Sequence, residues 1–251
     1  MPYGLYIAAE GAHAQSMRLE VVANNLANAS TTGFKRDLAL FQARYSEAVQ
    51  SGLAAPGSGS INDIGGGVRV MATETDYSQG PLKSTGVETD LAIQGDGYFV
   101  VQKDGRPLLT RAGNFSFNNN NQLVEATGGL VMSDSNTPIT VDPEAGPWTF
   151  TPDGSFLQAG NATPLAVVVP EGPGELSKQG GNMFLPLGRT LPVAPEQRQV
   201  VSGSLEASGV TPTMEMMELI ESTRAFEANV QMIRTYDTMI GNLISSVLKE
   251  G

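Results

Sequence analysis

Cysteine is absent from this 251-residue chain, which excludes thiolate catalysis, disulfide staples and Cys-ligated zinc. The absence fits any compartment, and suits a chain that crosses a membrane unfolded without forming stray disulfides. Histidine occurs once, at His13, so a Ser-His-Asp relay or a histidine zinc site would have to be built around it. It follows a heptad position in a helical stretch, far from any nucleophile motif, and reads as a helix-surface residue. Charge is sparse, at 16% of residues against 40% hydrophobic, which suggests that much of the surface faces other protein. The net charge of −11 has the wrong sign for nucleic acid or an anionic membrane. No apolar run approaches the ~20 residues that span a bilayer, so no lipid-embedded segment is expected. The start, Met1-Pro2-Tyr3-Gly4-Leu5, has no basic region, and the first positive charge is Arg18. A Sec-type signal is therefore not expected, and export would need a dedicated apparatus.

Motifs of small-molecule chemistry are equally thin. Gly65-Gly66-Gly67 lacks the Lys-Ser/Thr of a P-loop, and Gly95-Asp96-Gly97 lacks a following helix, so both read as turns before strands. A glycosidase needs two facing carboxylates; Asp90, Asp96 and Glu125 are available, but acids near turns usually serve turn chemistry. Asp142-Pro143-Glu144 and Asp153-Gly154 lack EF-hand spacing. A sugar-binding platform would need exposed aromatics, and aromatic content is 6% with Trp148 the sole tryptophan. No catalytic, cofactor or metal site is expected, and the chain reads as a structural protein rather than an enzyme.

What the chain does contain falls into three parts. Residues up to about 29 have no proline after Pro2 and only Gly4 and Gly11, and predict a helix. Its 3,4-spaced seam is Leu5, Ala8, Ala12, Gln15, Leu19, Val22 and Leu26; six of the seven are apolar, where 40% composition gives about three. A second stripe, Tyr3, Ile7, Ala14, Met17 and Val21, implies burial on two sides. Ala8, Gly11 and Ala12 let a neighbouring backbone approach closely.

Near the other end Thr211 can cap a helix, Pro212 suits its first position and Glu215 complements its dipole. Its seam is Met216, Leu219, Thr223, Phe226, Val230, Ile233, Asp237, Ile240, Ile244 and Val247; eight of ten are apolar against about four expected. A further stripe, Met232, Tyr236, Met239 and Leu243, gives this helix more than one apolar face. Between the ends, segments such as 98–102, 107–110, 122–124, 130–132, 148–150, 155–157 and 165–169 read as strands, separated by Gly, Asn and Pro turns. That pattern predicts an antiparallel β domain. The run 51–60 (SGLAAPGSGS) is too rich in Gly, Ala and Ser to pack well.

Four stretches carry a resemblance. Residues 24–36 (NNLANASTTGFKR), with Asn25, Leu26, Ala27, Asn28, Gly33 and Phe34, resemble the N-terminal signature of bacterial flagellar rod and hook proteins. Residues 218–229 (ELIESTRAFEAN), with Arg224 and Glu227, are similar to that family's C-terminal motif, and 90–99 and 109–115 fit its central region. The order matches over the whole chain, and length favours a rod subunit, proximal ahead of distal, over the longer hook protein. Phe226 stands where tyrosine is usual in the family. The resemblance implies an α+β fold: a coiled-coil helix at 1–30, an extended arm or β-hairpin region at 31–84, an antiparallel β domain at 85–205 and a second coiled-coil helix at 206–251. It also implies partners: copies of itself, other rod proteins and the flagellar type III export apparatus, with assembly in the periplasm. Leu5, Ala8, Ala12, Leu19, Val22, Leu26, Leu219, Phe226, Val230, Ile233, Ile240, Ile244 and Val247 are the expected assembly interface.

Overall fold

The computed structural model of the protein describes residues 3–53, 55, 57 and 65–249. Positions 54, 56 and 58–60 of the small-residue run lie outside the described residues, as does the side chain of Val247. The fold is α+β, with a helix at each end and a central antiparallel β domain. The chain forms two compact units: one holds both helices and residues 37–76, the other residues 28–36 and 77–210.

In the helical unit, α1 spans Tyr3–Ala27 and stops at the turn-forming Asn28–Ser30 stretch. Strand β1 (Asp37–Ala43), a single turn α2 (Glu47–Gln50) and strand β2 (Val68–Thr75) follow. The Ser46 hydroxyl accepts the Val49 N–H at 3.2 Å, capping α2. β1 and β2 form an antiparallel ribbon from Asp37↔Thr75 to Ala43↔Val68, with a bulge between Leu40 and Phe41. A two-stranded ribbon alone is marginal in water, and α1 lies against both strands. The side of α1 that meets them is marked by Tyr6, whose hydroxyl accepts from Arg44 at 2.8 Å, and by Glu10 beside Gly67. Ala14, one turn on, is buried there. The C-terminal helix α3 spans Pro212–Lys249; the Thr211 carbonyl accepts the Met214 and Glu215 N–H groups, and Pro212 occupies the first helical position.

The β body contains strands β3 (Leu82–Ser84), β4 (Leu91–Ile93), β5 (Tyr98–Lys103), β6 (Arg106–Thr110), β7 (Ser116–Phe117), β8 (Leu123–Val124) and β9 (Leu130–Val131). It continues through β10 (Trp148–Phe150), β11 (Ser155–Gln158), β12 (Asn161–Pro164), β13 (Val167–Pro170), β14 (Leu176–Gly180) and β15 (Met183–Pro186). β16 (Thr190–Pro192), β17 (Val200–Ser202) and β18 (Ser204–Glu206) complete it. The main sheet runs β14-β15-β6-β5-β9-β8-β7, with β13 pairing β5 and β16; β10-β11-β12 form a second sheet, and β17–β4 and β18–β3 are two-stranded ladders. Between β5 and β6, Asp104 (φ 50°) and Gly105 (φ 74°) make a two-residue turn of the kind that matches strand twist. Alternation along β5 sends Phe99 and Val101 into one core and Tyr98 and Val100 into another that contains Leu109 and Phe184. Phe99 meets Phe115 edge-on at 5.2 Å in the first.

Candidate assembly surfaces

The two helices pair antiparallel. Tyr236 covers Gly4 with its ring and hydroxyl, Asn229 covers Gly11, Arg18 reaches Glu218 at 3.8 Å, and Asn25 donates to Glu215 at 3.3 Å. Asn25 is 1% exposed; its amide also donates to the Asp37 carbonyl at 2.8 Å and accepts the Asp37 N–H at 2.9 Å. One side chain therefore ties the end of α1 to the start of β1 and the start of α3. Of the seam expected on α1, Ala8, Ala12 and Val22 are buried, and Leu5, Leu19 and Leu26 half-buried. On α3, Leu219, Phe226, Val230, Ile233 and Ile240 are half-buried, and Ile244 is exposed.

The fully buried positions of α3 are polar: Glu215 and Ser222. With Asn229 and Tyr236 they form a line seven residues apart. Counting apolar residues passed over this line, although its spacing is visible in the sequence.

Large apolar side chains instead face outward. Met217 is 65% exposed, Leu243 65% and Leu248 76%, with Ile220, Met232 and Met239 each more than half exposed. Because Gly4 stands opposite Tyr236, the part of α3 beyond about residue 240 runs past the first described turn of α1. On the ribbon, Leu40, Phe41, Val68 and Met71 are exposed as well. Burying one such side chain stabilises by about 1.5–3 kcal/mol. Arg224 and Glu227 also face outward on α3.

The signature segment after α1 is docked in the β body. Gly33 has φ 66°, and a Cβ there would lie 2.6 Å from the Ala112 nitrogen; its N–H donates to the Glu206 carbonyl at 2.8 Å. Phe34 is buried under the Lys178 ammonium, 4.7 Å from the ring centre, and its carbonyl accepts the Gly209 N–H. Lys35 is fully buried and donates to Glu206 Oε1 and to the Ser78 carbonyl, both at 2.7 Å. Glu206 Oε1 also accepts the Gly80 N–H, and Oε2 the Arg111 guanidinium at 3.1 Å. Arg111 further donates to the Ile93 and Gly95 carbonyls and lies over the Tyr98 ring at 5.1 Å. Burial pushes the Tyr98 phenol up to about 12, against the opposing pull of Arg111. Asn28 is half-buried and accepts from the Thr31 hydroxyl, while Ala27 is exposed.

Family comparisons fall on these same elements. A model described as flagella basal body rod protein matches residues 5–35, one of the flagellar hook protein FlgE/F/G D1 domain matches 92–158, and one of the flagellar basal body rod FlgEFG protein C-terminal region matches 201–246. The flagellar basal-body rod protein FlgF of Caulobacter vibrioides is 32% identical over 93% of both chains. The chain belongs to the flagellar basal-body rod protein family. The rod protein FlgG of Agrobacterium fabrum is 34% identical over 98% of this chain and 99% of its own, and that of Bacillus subtilis 31% over 96% and 97%.

This rod-family chain is thus a structural subunit of the basal body, assembled with other rod components. The side chains once available to a hydrolase fit that role. Asp90 accepts the Thr85 hydroxyl at 2.6 Å, and Glu125 accepts the Thr127 N–H and hydroxyl, so both hold turns. Glu125 borders a cleft of about 420 Å³ whose described lining contains no second carboxylate. Trp148 is half-buried and packs against Phe117, Phe150 and Phe156. Among the described residues no helix is long and apolar enough to cross a membrane.

Proposed function

We propose that this subunit polymerises with copies of itself and with neighbouring rod proteins into the helical shaft that crosses the periplasm and transmits torque. The observation that carries this reading is the exposed apolar surface of α3, from Met217 to Leu248. Helices with apolar residues on several sides leave surface that one chain does not cover, and a head-to-tail contact that does not close builds a helical tube. The terminal helices form an inner coiled-coil layer, with Leu5, Leu19, Leu26, Leu219, Phe226, Val230, Ile233, Ile240 and Ile244 turned to it. The subunit leaves the cytosol unfolded through the flagellar type III apparatus.

Alignment lengths support the proximal position. The FlgF relatives align over 234 and 236 residues, while the FlgG relatives align over 255–270, more than the 251 residues here, and so carry insertions. The test is microscopy of concentrated protein with Met239→Glu and Leu243→Glu variants. Filaments from the unaltered chain, lost in both variants while monomer melting is unchanged, are expected. Monodisperse particles at every concentration, or filaments indifferent to both charges, would overturn the reading.

A further inference from the structure

Three contacts between α1 and α3, and one further level between them, recur at the same interval on both helices. On α1 the residues are Gly4, Gly11, Arg18 and Asn25; on α3 they are Tyr236, Asn229, Ser222 and Glu215. Each set is spaced by seven. Gly4 meets Tyr236, Gly11 meets Asn229, and Asn25 meets Glu215. The same alignment sets Ser222 level with Arg18, which reaches one turn along to Glu218.

We propose that this line is a register code: it fixes one antiparallel alignment of the two helices within a chain and leaves their large apolar side chains to other copies. The second clause rests on the assembly reading; the first stands without it.

The layers divide the work. Gly4 and Gly11 are both small enough to receive Asn229, so the glycine layers alone tolerate a slip of one heptad, about 10 Å along the axis. The Asn25–Glu215 layer does not. A slip in one direction sets Ser222 opposite Asn25 and leaves Glu215 without it. A slip in the other carries Glu215 to the level of Arg18 and leaves Asn25 without it. Both residues are 1% exposed, and a buried polar group separated from its partner is costly. Asn25 cannot turn away, because its amide is held at both ends by the Asp37 backbone. A polar residue at a helix–helix seam that sets alignment at some cost in stability is a known use of such groups. The buried Ser222 hydroxyl on the same line has no hydrogen-bond partner among the described residues.

The cysteine-free chain makes the test direct. In the full-length monomer, Gly11→Cys with Asn229→Cys reports the observed alignment, and Gly11→Cys with Ser222→Cys reports a one-heptad slip beyond the ~7 Å Cα limit of a disulfide. Bridges within one chain are separated from bridges between chains by mass, so failure of assembly does not enter the result. The in-register pair should bridge at least tenfold more than the slipped pair. Glu215→Ala should raise the slipped pair several-fold at the expense of the first, while Glu215→Gln, which keeps an acceptor for Asn25, should preserve the original ratio. Equal bridging of both pairs in the otherwise unaltered chain would overturn the proposal, as would a ratio indifferent to Glu215→Ala. So would a joint fall of both pairs in Glu215→Ala, because the contact would then serve stability alone.

Discussion

Replacing Glu206 with glutamine keeps the shape of the side chain and removes one buried charge. In the native body the carboxylate is 1% exposed and accepts from Lys35 at 2.7 Å, Arg111 at 3.1 Å and the Gly80 N–H at 3.0 Å. Lys35 is 1% exposed and Arg111 4%, so neither can retreat to water when the carboxylate is lost. Breaking a buried pair by removing one partner typically costs about 3–5 kcal/mol, because the remaining charge stays desolvated. For a chain of this size each kcal/mol shifts Tm by roughly 2–4 °C, so Glu206→Gln should lower the transition by roughly 6–20 °C. Differential scanning calorimetry of the full-length monomer reads this shift. Adding Lys35→Met to Glu206→Gln should recover part of the loss, with a coupling of about 0.5–3 kcal/mol in the double-mutant cycle. A shift under roughly 2 °C, or strict additivity of the two changes, would refute the claim that this ionic cluster anchors the signature segment to the β body.

Other outcomes follow from the same structure. Phe226→Ala should abolish polymerisation, since a fully covered phenylalanine is worth about 3–5 kcal/mol, while melting of the β body in the monomer stays unchanged; intact assembly with a large drop in monomer Tm would count against it. Gly33→Ala forces a side chain into a left-handed conformation against the Arg111–Ala112 backbone, and should cost at least ~2 kcal/mol in denaturant melts; a neutral result would sink the close-approach argument. Burial pushes the Tyr98 phenol up to about 12 from its ordinary value of 10.0. The unfolded chain therefore loses this proton first, and stability present below about pH 10 is lost as pH rises toward about 12. Tyr98→Phe should flatten that limb of the stability–pH curve, and an unchanged slope would show that another group carries it. Limited proteolysis of the monomer should cut first in the run 51–60, and uniform resistance there would contradict the packing argument from its composition.

Local signals made the helix ends readable. Proline at 212, a capping threonine at 211 and long stretches poor in glycine specify where helices start and run, because those choices depend on neighbouring backbone groups. The strands flanking Asp104-Gly105 and Pro152-Asp153-Gly154 were legible for the same reason: a tight turn between alternating segments has few conformations. The two stripes on α1 pointed to packing among helices, whereas one neighbour of α1 is α3 and the other is the β1–β2 ribbon. The hairpin of β14 and β15 was not legible, since its residues 176–186 mix polar and apolar types without clean alternation and pair only because β6 offers an edge. The cluster of Lys35, Arg111 and Glu206 joins positions 76 and 95 residues apart, and no local pattern announces that such charges will meet. The exchange of seams on α3 is the clearest case. Hydrophobicity alone placed Met216 and Ile244 on the line facing α1, yet both are exposed, and glycines at positions 4 and 11 admit the polar line of Asn229 and Tyr236. Composition and period determine that a helix has sticky faces; which face turns inward depends on the shape of the partner, and shape exists only once both helices are packed.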